Sequence, residues 1–167
     1  MVHREEERAG QNPVYDGYDV TLAFEWTIPR EGLDYWRNLK TDGRRPARSD
    51  IDPIGLPRHL LPHVFMLDVE ARAPRRYCWR LIGTHITTVL KRDSTGRYLD
   101  EVLPPHVYSR FVRPLDWVVE NGRPARVFGR VGERGTKWLP FEHFVAPLWD
   151  ARGKIDVLFG IAVYRTT

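Results

Sequence analysis

The sequence predicts an α+β domain in which one antiparallel sheet packs against helices. Three observations carry this expectation. Two short strand-like runs, HVFMLDVEA and RRYCWRLIG, flank the turn APRR; a segment with helical spacing follows; and the last third holds three longer strand-like runs separated by glycine turns. The order is therefore hairpin, helices, three-strand meander.

The totals suit that picture. At 167 residues, 42% hydrophobic and with six tryptophans, the chain can build one core, while 29% charged residues supply a solvated surface. No apolar run approaches the roughly 18–20 residues that cross a bilayer, and MVHREEERAGQ lacks the basic-then-apolar order of a signal peptide, so a cytoplasmic protein is expected. The single Cys78 excludes an internal disulfide and a multi-cysteine metal site. Residues 1–20 carry two arginines against five acids, which leaves the remainder basic within a net charge of +4. Its arginines are dispersed, and no helix-turn-helix, zinc-finger or RNA-recognition signature organises them, so a nucleic-acid partner is not expected.

Residues 1–20 are polar and without an apolar period, and read as a flexible tail. Residues 21–62 read as an N-terminal helix and a connecting segment. In EGLDYWRNLK, Leu33, Trp36 and Leu39 fall on one side of a short helix, a candidate dimer or partner face. Four prolines between Thr41 and His63 predict turns with short helical pieces. The core is expected from 63 to 167. The hairpin comes first, and alternation sets Tyr77, Trp79 and Leu81 against Cys78, Arg80 and Ile82 without showing which set faces inward. After Gly83, where the strand should turn, THITTVLKRD predicts a short helix, and STG with Gly96 closes a polar turn. Pro104-Pro105 opens the next helix, in which Val107, Phe111, Leu115 and Val118 have helical spacing; Pro114 should bend or interrupt it, and Asn121-Gly122 should end it. The strands RPARVFGRV, KWLPFEHFVAPLWD and KIDVLFGIAVYR follow, joined by GERG and DARGK.

Enzymatic motifs are missing. Gly83 and Gly96 are too far apart for a phosphate loop, and neither precedes Lys-Ser or Lys-Thr. Ser49, Ser94 and Ser109 lack a G-x-S-x-G setting, so no catalytic residue is assigned. His59 and His63 are four apart, but Pro62 interrupts the helix they would need, and no metal ligand is assigned either.

The runs ARSDIDPIGLPRHLLPHVFMLDV, YCWRLIGTHI, STGRYLDEVLPP and PLWDARGKIDVLFGI resemble a bacterial group of short, single-PAS proteins, over about residues 33–164. The resemblance implies a PAS-like five-stranded antiparallel sheet of order 2-1-5-4-3, with helices on one face and an N-terminal helical extension. It also implies a stand-alone sensory or regulatory module that binds a small ligand, with a homodimer or signalling-protein partner; a ligand-free dimerisation scaffold is the alternative. Cys78 stands in Tyr-Cys-Trp-Arg, unlike the Asn-Cys-Arg-Phe motif of the flavin-binding, light-sensing branch, and the cofactor is left unknown. A sheet curved under helices leaves a concave apolar interior. Arg80, Tyr108, Phe111, Trp117 and His143 are the candidate ligand-binding residues, combining ring surfaces with polar handles.

Overall fold

The computed structural model describes residues 12–132 and 138–165. Its centre is one antiparallel sheet of six strands: β1 (Asn12–Asp19), β2 (Val64–Glu70), β3 (Arg76–Ile82), β4 (Ala125–Gly132), β5 (Leu139–Trp149) and β6 (Ile155–Tyr164), in the order β1-β4-β5-β6-β2-β3. Strands β2 to β6 reproduce the expected five-strand order, since β3-β2-β6-β5-β4 is 2-1-5-4-3 counted from β2. The sixth strand corrects the expectation of five, and it also places part of the expected tail in the sheet. Asn12 to Asp19 pair antiparallel with β4 from Gly132 to Arg126, so backbone hydrogen bonds replace an apolar period as the source of order. Pro13, which has no N–H to give, is tolerated in an edge strand. The rest of the expected tail, residues 1–11, and the GERG turn beyond Gly132 lie outside the described residues.

Both faces of the central strands are covered, which explains why β5 and β6 read as nearly continuous apolar runs. On the inner face, Phe65, Leu67, Tyr77, Val145, Leu158 and Ala162 meet three helices: α2 (Thr84–Leu90), α3 (Leu99–Val102) and α4 (Pro105–Asn121). On the outer face, Met66, Phe144, Leu148, Phe159 and Ile161 meet α1 (Thr27–Arg37) and the short helical turns within residues 48–63. Strands β2, β5 and β6 thus feed alternate residues to two separate cores.

Helix α1 is built to lie close to the sheet. A Cβ on Gly32 would meet Ile161 Cγ1 at 2.5 Å, so only glycine allows this approach. Leu33 is buried, Trp36 donates its Nε1–H to the Pro147 carbonyl at 3.1 Å, and Leu39 packs on the same outer core. Of the stripe expected as a dimer or partner face, Leu33 is buried against the chain's own sheet, while Trp36 and Leu39 are partly buried there and keep some exposed surface. At the start of α1 the backbone N–H groups of Glu25 and Trp26 donate to the two carboxylate oxygens of Glu142, each at 3.0 Å. Glu142 is itself 2% exposed and accepts Arg126 Nε–H at 2.5 Å.

In α4, Val107, Phe111, Leu115 and Val118 form the buried stripe, and Gly122 closes the helix in the left-handed region at φ 62°. Of the two expected effects of Pro114, interruption does not occur, since the helix continues through it to Asn121. Proline costs roughly 3 kcal/mol inside a helix, whereas each fully buried Val, Leu or Phe contributes roughly 1.5–3 kcal/mol. Four such side chains, with the Pro114 ring buried beside them, outweigh the defect. The strand turns at Gly83 as expected, between the end of β3 and the start of α2. The φ of Gly83 is −66°, an ordinary value, but a Cβ there would sit 2.3 Å from the Pro62 carbonyl oxygen. Gly83 serves close approach of two chain segments.

Candidate functional site

The site begins with an irregularity in β3. Met66 pairs with Leu81 and Leu67 with Trp79, so Arg80 is the extra residue of a bulge. Tyr77 and Trp79 therefore face the inner core, and the bulge resets the alternation so that Ile82 joins them while Leu81 is exposed. Beyond α2 the chain returns along β3. Gly96 N–H donates to the Trp79 carbonyl at 2.7 Å, and Trp79 N–H to the Arg97 carbonyl at 2.9 Å. Gly96 adopts φ +83°, which fits its role in that turn. Arg76 fixes the same edge: Nε and one terminal nitrogen each donate to Asp100 at 2.7 Å, and the guanidinium lies 3.7 Å from the Tyr98 ring centroid.

This folding leaves a cavity of about 30 Å³ between the inner face and the helices, room for about two water molecules. Trp79 and Ile82 contribute from β3, Val102 and Leu103 from the end of α3, and Phe111 from α4. Polar groups arrive from three other places: Arg92 and Ser94 from the stretch after α2, His143 from β5 and Tyr164 from β6. The small residue Ala162 lies opposite His143 in the sheet. At Gly160 the comparable space is taken by the Phe65 ring, which a Cβ would meet at 2.1 Å.

His143 stands in an aromatic frame. Its ring centroid is 4.6 Å from that of Phe141, 5.6 Å from Tyr164 and 5.7 Å from Phe65. Burial pushes its pKa from 6.5 down to about 3, so it is neutral at neutral pH. The same burial raises the Tyr164 phenol and holds it protonated. Tyr164 is also fixed through its backbone, since its N–H donates to His85 Nε2 at 3.1 Å. The His85 ring lies 4.3 Å from that of His63, whose Nδ1–H donates to the Ala162 carbonyl at 2.9 Å. Burial lowers the pKa of both.

Of the five residues expected at a ligand site, the structure brings Phe111 and His143 to the cavity. Arg80 points outward from the bulge and pairs with Asp68 at 2.8 Å. Tyr108 is half-buried at the margin of the inner core, and Trp117 lies farther along α4 beside Tyr18 of β1, with ring centroids 6.4 Å apart. Trp79, Ile82, Arg92, Ser94, Leu103 and Tyr164 were not anticipated as site residues. Tyr164 had a usable signal, because it shares the period-two face of Leu158 and Ala162. Arg92 had none, because LKRDSTG reads as an ordinary polar turn. Cys78 leaves β3 on the opposite side from Tyr77 and Trp79 and accordingly does not line the cavity.

A sheet of this order, with a cavity under helices inserted between its second and third core strands, defines a PAS-type α+β domain. A family model described as a PAS domain matches residues 28–163, and the chain belongs to that family. The match runs from α1 to β6 and leaves β1 outside it. Among solved structures, a chain described as an RNA-binding light-oxygen-voltage receptor aligns with a TM-score of 0.46 and 16% identity, over 75% of this chain and 37% of that one. No curated protein matches the chain. Among the described residues, no helix is long and apolar enough to cross a membrane.

Proposed function

We propose that this PAS domain is a sensory or regulatory module that holds a small molecule in the cavity beneath α2, α3 and α4 and signals its occupancy through protein contacts. The observation that carries the reading is the convergence of Arg92, Ser94, His143 and Tyr164 on one otherwise apolar cavity. An output route is available in β5. His143 faces the cavity, while its neighbour Glu142 faces the other way and holds the start of α1. An occupant that moves His143 acts on the strand that anchors α1, and so on the surface shown to another copy of the chain or to a signalling partner. The reading requires neither a catalytic step nor nucleic acid.

The test is native mass spectrometry with extraction of small molecules from the purified protein, compared with a Leu103→Trp variant whose indole fills the cavity. A reproducible bound mass, absent from the variant, is the expected outcome. A consistently empty protein whose melting temperature responds to no metabolite would rule the reading out.

The small volume of the cavity favours a second reading, in which side chains alone fill the interior and the domain is a ligand-free interaction scaffold. Leu33 is then unavailable for contact, because the sheet buries it, while the partly exposed Trp36 and Leu39 stay within reach of a partner. Strictly monomeric behaviour at high concentration, with no partner retained in pull-downs, would eliminate the scaffold.

A further inference from the structure

The end of β6 runs past its neighbour in the sheet. The last residue pair between β2 and β6 is Val64 with Ile161. Beyond it, two histidine side chains take up backbone groups of β6. The Ala162 carbonyl accepts His63 Nδ1–H at 2.9 Å, and the Tyr164 N–H donates to His85 Nε2 at 3.1 Å. Ala162 and Tyr164 are both buried. His63 ends the helical turn of residues 58–63 and His85 lies in the first turn of α2, so the two rings, 4.3 Å apart, join three elements at one point. Helix α2 rests on the inner core through Ile86. Among the described residues, its only side-chain hydrogen bond to another element is the one that His85 accepts from Tyr164.

The partners fix the tautomers. A carbonyl only accepts, so His63 carries its hydrogen on Nδ1 and a further proton goes to Nε2, leaving the bond to Ala162 intact. A backbone N–H only donates, so His85 carries its hydrogen on Nδ1 and a further proton has to go on Nε2, the atom that holds Tyr164. Donor then faces donor, and the bond is lost.

No counter-charge offsets that proton. Among the described residues neither ring has a carboxylate within 4.0 Å, and Glu31 on α1 is taken by His59. The charge of His59 acts on His63, and that of His63 on His85. On β6 the Tyr164 phenol is kept protonated by burial, and on β5 the His143 ring lies 5.6 Å from that of Tyr164. The Arg165 guanidinium lies over the Trp26 ring at 4.4 Å, Arg80 of β3 pairs with Asp68 of β2, Arg58 is exposed, and Lys91 follows the last turn of α2.

We propose that His85 is an acid-sensitive latch between α2 and β6, in which a proton on Nε2 breaks the bond to Tyr164 and releases the start of α2 from the sheet. The input is a proton, so the latch operates whether or not the cavity holds a molecule. Burial and His63 lower the His85 pKa from 6.5 in the closed form. The open form regains the ordinary value, so the latch is fully held above about pH 6.5. Opening then grows as pH falls, by up to about tenfold per pH unit, until the folded value is reached. Tyr164 lines the cavity, and α2 leads into Leu90, Arg92 and Ser94 on its wall, so release loosens that wall.

The test is amide hydrogen exchange by NMR on the full chain from about pH 7.5 to about pH 5, corrected for intrinsic rates. The amides of Tyr164, Ile86 and Thr87 should exchange through a smaller opening than those of central β5, and that opening should grow as pH falls below about 6.5. His85→Gln offers an amide oxygen where Nε2 stood and takes up no proton. It should keep Tyr164 protected and abolish the pH dependence of these three amides, at an unchanged urea midpoint at neutral pH. His63→Asn keeps a donor for the Ala162 carbonyl and should retain the response. Imidazole nitrogen spectra of the unaltered protein should show His85 with its hydrogen on Nδ1 at neutral pH. A hydrogen on Nε2 there would overturn the latch without recourse to any variant. So would exchange of the three amides in step with β5 at every pH, an undiminished response in His85→Gln, or a response abolished by His63→Asn.

Discussion

Tyr77 ties the sheet to the longest helix through one hydroxyl. Its ring is 1% exposed in the inner core, and its O–H donates to Asp116 Oδ1 on α4 at 2.6 Å. Burial and the neighbouring carboxylate both raise the phenol's pKa, so the group stays a donor. Arg75 reaches the same carboxylate at 3.4 Å and Glu120 at 3.1 Å. Tyr77→Phe keeps the packed ring and removes the donor, and because Asp116 retains Arg75 and some solvent, the loss should be about 1–2 kcal/mol. A lower urea midpoint at unchanged slope would show it; an unchanged midpoint would mean that water replaces the bond without loss. Individual site residues were legible where a regular period placed them. Phe111 belongs to the α4 stripe, and His143 alternates with the outward residues of β5. Arg80 lies opposite the inward Tyr77 and Trp79, and the sequence period alone does not show which of the two sets faces the core; the bulge then turns Ile82 inward and Leu81 outward, a shift the period carries no mark of. Trp117 was misplaced because its neighbour Tyr18 belongs to a strand that the sequence did not suggest.

Elements were legible in proportion to the side-chain pattern that stabilises them. Strands β2 to β6 alternate or run apolar between turn residues, and the α4 stripe is plain. Strand β1 carries no such pattern, because pairing with the open edge of β4 orders it. The α1 stripe was seen, but a stripe has no label for its partner, and here the partner is the outer face of the sheet. The attachment of α1 depends on a buried charge. Glu142 satisfies two N–H groups just ahead of the helix and faces Arg126, which also lies 3.6 Å from Glu25 and 4.0 Å from Asp19. Glu142→Ala leaves two amides without their acceptor and a mostly buried guanidinium without its closest partner, at a cost of about 3–5 kcal/mol. Hydrogen exchange should show the Glu25 and Trp26 amides and the first turn of α1 losing protection before the inner core. Uniform loss of protection across the chain would show instead that Glu142 serves global stability with no special hold on α1.

Across the whole molecule, one buried and two half-buried histidines link stability to pH. His143, His63 and His85 all have pKa values lowered by burial, His143 from 6.5 to about 3. Besides burial, His59, which contacts Glu31, lowers the pKa of His63, and His63 lowers that of His85, whose tilted ring lies 4.3 Å away at the junction of α2 with residues 58–63. In the unfolded chain these groups take up protons near pH 6.5, while the folded chain resists them, so the unfolded state binds more protons as pH falls. Stability is complete above the unfolded pKa and declines on acidification toward the folded values. The carboxylates with lowered pKa values, Asp19, Asp50, Asp93, Asp100 and Asp150, start from 3.8 and act only in more acid solution. From about pH 7 to about pH 5 the histidines therefore act alone among these groups, and His143 by itself should remove about 2 kcal/mol of unfolding free energy. Urea titrations across this window should give stability rising with pH, and His143→Leu should flatten the slope by nearly one proton. A slope unaffected by that substitution would mean that His143 protonates in the folded chain as readily as in the unfolded one. The buried, neutral imidazole assigned to the cavity wall would then be incorrect.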